Sequence, residues 1–489
     1  MYRQANDYEI IVLGSGLGGL LAGSLLAKKR RSVLLLKESG YQTSCHRDGY
    51  RFAPFSNCSE IRWSSSLLTR INRVSGFSFP KETLEGNSPG KRDPGKRHSP
   101  VPLQVILPGA RIDLFDDPGL LKGEWEREFP RETAQIEAFY EELGLLERQL
   151  KGREEEKGSP FFPVDHRSFI RKRLSLALRS EERIGKRLSG FSREFKEYLR
   201  LQLIAWGNLF SDSFPISLAA YLLLHEERRE WVSPGDLENM GKRILDSFIK
   251  SGGEVEEIPR VKRVEKAWRK GFVLSLERDR RAFGCRSLLL NSPLHCFSDI
   301  LGNTGKALSP WLKRIQPRYV LYPCFMGIRD RVVPVGMRGL LVSIRDLDRP
   351  YEGGNALCLR LSPRGDEGEA PEGRRALTVL SLAPFRSWTQ LSLVHQEAIL
   401  DHLRHLIPFL EENLDFADFD WACQQTGQWS YPHFLYETPG GFNWREGVIP
   451  TRLSRDLYFT GKENFPYLGL EGEVLGGMMA AGQILERFS

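Results

Sequence analysis

The chain has 489 residues, and at ~150 residues per domain that is roughly three domains, with two large ones favoured over one. Its 40% hydrophobic, 27% charged and 11% aromatic content is that of a globular protein and excludes wholesale disorder or a collagen-like repeat. The formal charge of +7 is scattered along the chain, so it gives no stripe for nucleic acid and reads as a solvated surface. Seven cysteines (Cys45, Cys58, Cys285, Cys296, Cys324, Cys358 and Cys423) with no CxxC pair support neither a disulfide scaffold nor a zinc ribbon; a reducing cytoplasm fits that usage.

From Ile10 to Ala27 there are eighteen residues without a charge, the length at which a membrane span must be weighed. Asp7 and Glu9 stand where a signal peptide carries positive charge, and no small-residue cleavage site precedes Lys28-Lys29-Arg30-Arg31. Glycines at 14, 16, 18, 19 and 23 interrupt the run, and their spacing has a better explanation than lipid.

Glu9–Leu13 is an apolar run of strand type, Leu17, Leu20, Leu21, Ser24, Leu25 and Ala27 recur at helical spacing, and Ser32–Leu36 reads as a second buried strand. Between the first strand and the helix lies Gly14-Ser15-Gly16-Leu17-Gly18-Gly19, a GxGxxG turn. Gly14 permits the tight turn, Gly16 lets backbone approach a pyrophosphate, and Gly19 lets the helix pack close to the strand. The N–H groups and dipole of a helix start favour the negative pyrophosphate, and Glu38 follows where an acid accepts from ribose hydroxyls. Dinucleotide binding is the expectation.

Near the other end, Asp456–Gly461 reads as a short strand closing on a glycine, followed by Lys462-Glu463-Asn464 and then Tyr467-Leu468-Gly469-Leu470-Glu471-Gly472. The final helix has Val474, Met478, Ala481 and Ile484 on one stripe, with Gly476, Gly477, Ala480 and Ala481 small enough for close backbone approach. Together the two ends resemble the FAD-dependent amine oxidase superfamily, in its phytoene desaturase-like (carotenoid desaturase/isomerase) branch. The resemblance implies FAD as cofactor, Glu463 at the ribitol or phosphate region, and the turn from Gly469 to Val474, including Leu470, Glu471 and Gly472, beside the isoalloxazine. It also gives Tyr467 the aromatic place near the flavin face, as a substrate-positioning residue. Lys462 stands where many desaturases have Asp, and the acid comes one later, as in amine oxidases.

A middle block also matches. Gly235-Asp236 opens a helix with Leu237, Met240, Ile244, Leu245, Phe248 and Ile249 apolar, Gly252-Gly253 ends it, and strands follow. In the resemblance this block serves the adenine side, with Val261 at the contact, and Arg286–Ser292 is the strand returning to the flavin. The family's Gly-Gly-Arg-type turn after the ribose acid is replaced here by Ser39–Arg47 without a glycine pair. The expected architecture is α/β: a Rossmann-type FAD-binding domain from 1–75, 235–305 and 455–489, interleaved with an α+β substrate domain from 76–234 and 306–454.

Between these blocks, 86–100 is a Pro/Gly/basic loop, Gln104–Leu107 and Arg111–Phe115 form a strand pair, and Gln135–Leu150 is an amphipathic helix. Residues 169–188 place Ile170, Leu174, Ala177 and Leu178 on one helical face amid arginines and lysines. That is either peripheral contact with an anionic membrane or a surface helix packed on the substrate domain. Trp421, Trp429, Tyr431, Phe434, Tyr436, Phe442, Trp444 and Phe465 suit a bulky hydrophobic substrate or ordinary core. His433 reads as structural, and Cys45-His46 lacks further ligands for a metal, so no metal is expected.

No nucleophilic triad, HExxH or second GxGxxG stands out. Flavin carries the redox chemistry itself, leaving the protein to orient substrate. The expected function is a FAD-dependent oxidoreductase acting by hydride transfer on a polyene, isoprenoid or lipid-like molecule. The alternatives are a flavin amine oxidase and a non-catalytic flavin-binding protein.

Overall fold

The computed structural model describes residues 7–38, 45–52, 62–63, 71, 103–157, 182–210, 213–224, 230–231, 234–267, 271–279, 281–291, 293–297, 300–302, 305, 308–313, 315–386, 393–421, 433–437 and 447–488. It opens with β1 (Asp7–Leu13), α1 (Leu17–Lys28) and β2 (Val33–Glu38), the strand–helix–strand of the apolar pattern. Short strands β3 (Cys45–Arg47), β4 (Tyr50–Phe52) and β5 (Arg62–Trp63) follow, then the hairpin β6 (Leu103–Leu107) and β7 (Ala110–Asp113). A helical block comes next: α2 (Pro118–Glu128), α3 (Thr133–Lys157), α4 (Arg193–Gly207) and α5 (Ile216–Leu224). After β8 (Glu230–Trp231) and α6 (Pro234–Lys250) come β9 (Glu254–Ile258), β10 (Val261–Ala267), β11 (Gly271–Leu276) and β12 (Ala282–Leu290). Then come β13 (Gln316–Arg329), β14 (Leu340–Ile344), β15 (Ala356–Leu361), β16 (Arg374–Pro384), α7 (Leu393–Leu406), β17 (Leu414–Asp418) and β18 (His433–Glu437). The described chain closes with β19 (Leu457–Phe459) and α8 (Leu470–Phe488).

The first sheet runs β10-β11-β12-β1-β2-β9, with β19 beside β12. β1 is parallel to both β12 and β2, and β2 to β9. A parallel strand flanked on both sides is covered on both faces, and Ile10, Ile11, Val12 and Leu13 are fully buried. Side chains leave a strand on alternate faces. Ile10, Val12, Val33 and Leu35 therefore share a cluster with Leu21 of α1, Phe248 of α6 and Val474 and Ile484 of α8, while Ile11, Leu13, Leu34 and Leu36 join the core beneath the other face. This is a Rossmann-type α/β layer. Within α6, Met240, Ile244 and Phe248 are buried, but Ile249 is 53% exposed, because it lies about 100° round the helix from Phe248.

β9 and β10 occupy opposite ends of the strand order, yet only Pro259 and Arg260 separate them. So short a linker reaches ~10 Å, far less than five strand spacings of about 4.8 Å. The antiparallel β10–β11 ribbon must therefore fold back over the sheet instead of widening it.

The second sheet runs β17-β13-β16-β15-β14-β6-β7, and β18 pairs with the first half of β13. The first sheet draws on residues 7–38, 254–290 and 457–459, the second on 103–113 and 316–437, so the two interleave along the chain. The β3–β4 hairpin departs from the expected grouping, in which 1–75 serves the nucleotide. Tyr50 and Phe52 pack on the second sheet, with ring centroids 5.3 Å from Phe416 and 4.8 Å from Phe325. Gly327 makes room for them: a Cβ there would lie 2.6 Å from the Tyr50 ring.

Of the helix expected over 169–188, residues 169–181 lie outside the described residues, as does the 86–100 loop. The remainder is a bridge between Arg183 and Pro215 and a short helix at Ile184–Arg187, with Ile184 and Leu188 buried in the core. No helix among the described residues is long and apolar enough to cross a membrane.

α1 and α8 touch along glycines. A Cβ at Gly477 would meet the Gly18 carbonyl oxygen at 2.2 Å, and one at Gly18 would meet the Glu473 carbonyl oxygen at 2.4 Å. Both obstacles are backbone and cannot step aside. Gly477→Ala should accordingly lower the thermal midpoint by a few degrees, an overpacking cost of about 1–3 kcal/mol. Gly482→Ala, on the same helix but with open space around it, should raise stability by ~1 kcal/mol through helix propensity. Thermal denaturation of both variants checks the opposite signs.

Candidate functional site

The loop after β1 is shaped by backbone. Leu13 O accepts from Asn291 N–H at 2.8 Å, and Gly14 N–H donates to Leu36 O at 3.0 Å. Gly14 has φ +112°, and a Cβ there would lie 1.9 Å from Asn291 O, so only glycine fits. Gly16 caps α1 in extended conformation without a side-chain hydrogen bond. Ser15, Gly16 and Leu17 are half-buried, while Gly18 and Gly19 are buried. Asn291, just past β12, closes the turn: its Oδ1 would lie 2.9 Å from a Cβ at Gly16 and 2.3 Å from one at Gly19.

The C-terminal helix reaches the same spot. Glu473 in the first turn of α8 sends its Oε1 to the Gly18 N–H at 3.1 Å and receives the Asn291 Nδ2 amide at 3.0 Å. Asn291 Nδ2 also donates to Thr460 O at 3.0 Å, and Thr460 Oγ1 donates to Glu473 O at 2.9 Å. Asn291 is 4% exposed, and among the described residues its Oδ1 has no hydrogen-bond partner. The glycine turn, the end of β12, β19 and α8 thus meet around one buried polar knot.

Beside it, the turn after β19 is locked by Asn464, whose Oδ1 accepts from Gly461 N–H at 2.9 Å and whose Nδ2 donates to Ile449 O at 2.8 Å. Glu463 is buried; its Oε1 accepts from Leu294 N–H at 2.9 Å, and the Tyr436 hydroxyl hydrogen-bonds to it. Burial pushes the Glu463 carboxyl up to about 7, with the Glu473 charge adding to the rise and the hydrogen bonds opposing it. At Gly461, a Cβ would lie 2.7 Å from the Phe459 ring.

The remaining expected residues fall as follows. β2 ends at Glu38, whose side chain lies outside the described residues. Val261 begins β10 and is buried. Leu470 is half-buried, Glu471 and Val474 are buried, and Gly472 packs against backbone, since a Cβ would lie 2.4 Å from Phe465 O. Tyr467 is wholly buried in a short turn, its ring edge-on to Phe465 with centroids 6.3 Å apart. Trp421, Phe434, Tyr436 and Phe465 are buried too, whereas Trp429, Tyr431, Phe442, Trp444 and the His433 side chain lie outside the described residues. Cys45 is buried, with its thiol pushed up to about 11 chiefly by desolvation, while His46 is exposed. Adjacent strand residues point to opposite faces, so the pair does not converge on one ion. No group of three or more potential metal ligands occurs among the described residues.

Asn291, Thr460, Asn464 and Glu473 were not among the expected site residues. For Asn291 the available signal was its position directly after the strand returning to the glycine turn.

The site fits a dinucleotide in shape. Glycines hold backbone where a Cβ would collide, a helix start suits a diphosphate, and a buried acceptor at Asn291 Oδ1 is aimed at Gly16 and Gly19. The anion already at that helix start is the protein's own Glu473.

A carboxyl raised in the fold stabilises it fully below the unfolded value and loses that contribution as pH rises through the folded value. With the Glu463 carboxyl raised from 4.5 to about 7, the thermal midpoint should fall between pH 5 and 8. Glu463→Gln should flatten that fall, as scanning calorimetry across the range will show.

The chain is similar over nearly its whole length to prolycopene isomerases. It is 23% identical to the chloroplastic enzyme of Arabidopsis thaliana, covering 98% of this chain and 82% of the relative. It is 22% identical to that of Daucus carota, covering 98% and 80%. Among solved structures, it matches cyclohexylamine oxidase from Brevibacterium oxydans IH-35A (TM-score 0.60, 18% identity, 99% of this chain and 100% of that one). It also matches wild-type putrescine oxidase bound to putrescine (TM-score 0.64, 15% identity, 99% and 100%). No family model matches the chain. The chain is therefore similar over nearly its whole length to prolycopene isomerases and has the fold of the cyclohexylamine and putrescine oxidases.

Proposed function

We propose that the chain is a FAD-dependent oxidoreductase-type enzyme acting on a hydrophobic polyene, isoprenoid or lipid-like substrate. The observation that supports this most is the junction of distant segments at the glycine turn, where Gly18 N–H and Glu473 Oε1 lie 3.1 Å apart although 455 positions separate them. In this reading Gly14, Ser15, Gly16, Leu17, Gly18 and Gly19 hold the diphosphate through backbone amides. Glu38 serves the ribose and Val261 the adenine side. Gly461, Glu463, Leu470, Glu471, Gly472 and Val474 serve the flavin end. Asn291 joins them, its unpaired Oδ1 suited to a hydroxyl of the ligand.

Bound FAD would supply a hydride acceptor at its ring N5. The chain's own residues orient and exclude water. Glu463, with its carboxyl near neutrality, can present either a hydroxyl or a carboxylate at physiological pH. Tyr467 and Phe465 pack the turn into α8 and so position whatever lies against it. The division into a FAD-binding part (1–75, 235–305, 455–489) and a substrate part (76–234, 306–454) belongs to the same reading, with the Tyr50–Phe52 strand packed on the second sheet, and 169–188 is either a peripheral membrane contact or a surface helix on the substrate part.

Prolycopene isomerases, by their name, act on a carotenoid, and whole-length similarity to them favours a polyene over an amine. The fold shared with putrescine and cyclohexylamine oxidases keeps amine oxidation as the second reading. Purified protein should show flavin absorbance bands and, incubated anaerobically with a poly-cis polyene, change the isomer profile on chromatography. Hydrogen peroxide release with an amine panel and no action on polyene would instead establish the second reading. Tyr467→Ala should lower polyene turnover at least tenfold, and unchanged turnover would remove Tyr467 from substrate positioning.

A further inference from the structure

Glu473 is oddly placed for a residue on the first turn of the last helix. An acid there is ordinarily satisfied by its own helix start and solvent. Here it is 6% exposed and crosses to a second helix start, taking the Gly18 N–H of α1 and the Asn291 amide. Its charge is met by neutral donors, since no cation pairs with it among the described residues. Glu463, in the neighbouring turn, interacts with it unfavourably through its charge. A Cβ at Gly16 would lie 2.3 Å from Glu473 Oε1, so the carboxylate sits over the glycine that gives a diphosphate its approach. Among the described residues the Oδ1 of Asn291 has no partner, so the same spot holds a buried acceptor that a hydroxyl of the nucleotide, not its diphosphate, would satisfy.

We infer that Glu473 is an internal competitor for the dinucleotide's diphosphate: it holds the α1 N-terminus itself, and FAD binds by displacing or neutralising it. The inference rests on the flavin reading above. It means that this chain holds FAD more loosely than the same fold would with a neutral residue at 473, and that the apo fold keeps its buried helix start satisfied when FAD leaves.

The test is titration of FAD into wild type, Glu473→Gln and Glu473→Ala, followed by flavin fluorescence quenching at neutral pH and low salt. Parallel titrations, read by isothermal calorimetry because ADP does not fluoresce, use ADP, which carries the diphosphate without the flavin, and riboflavin, which carries the ring without phosphate. Glu473→Gln keeps the side chain's size and its acceptor for Gly18 N–H, so it isolates the charge. Both variants should bind FAD and ADP at least tenfold more tightly than wild type, with riboflavin unchanged. Without ligand, Glu473→Ala should melt below wild type and recover when FAD is added. FAD binding that is equal or weaker in Glu473→Gln overturns the inference while leaving the flavin reading intact. So does a gain seen with riboflavin but not with ADP. If none of the three proteins binds FAD, the flavin reading falls and the inference falls with it.

Discussion

The contact on which the rest of the molecule depends is the close approach of α1 to α8. Two helices from opposite ends of the chain are brought to backbone contact, which only glycine at 18 and 477 allows. With the helices that close, Glu473 can reach the Gly18 amide of α1, and Asn291 donates to the same carboxylate oxygen, both buried there. A buried polar group costs free energy unless paired, so the knot is tolerated because nearly every member is satisfied: Thr460 binds Glu473, Asn291 binds Thr460, and Asn464 locks the adjoining turn. The apolar layers on either face of β1 then hold this polar junction in register.

Electrostatics gives the junction its character. Two carboxylates, Glu463 and Glu473, sit within one buried region, and the first is displaced toward neutrality. Low dielectric strengthens each hydrogen bond and penalises each unpaired charge. The buried carboxylates set this turn apart from a glycine turn that offers only neutral amides.

Much of the first sheet was legible because close packing leaves marks in composition. The glycines at 14, 16 and 19, the apolar run of β1 and the small residues of α8 each answer a steric demand that other side chains fail. What stayed hidden was remote pairing. Glu473 reads as an ordinary first-turn acid, since its target lies 455 positions away. Tyr436 was one aromatic among many, and nothing local marks its hydroxyl for Glu463. The β3–β4 hairpin follows the opening strands of the first sheet in sequence, yet its Tyr50 and Phe52 found aromatic partners on the other sheet. The fold-back of β10–β11 follows only once the strand order is known.

The central claim is that both ends of the chain enclose one dinucleotide. Hydrogen–deuterium exchange with and without FAD tests it most directly. Added FAD should slow exchange together in peptides spanning 14–20 and 461–474. Protection confined to one of them, or found only elsewhere in the chain, would contradict the account.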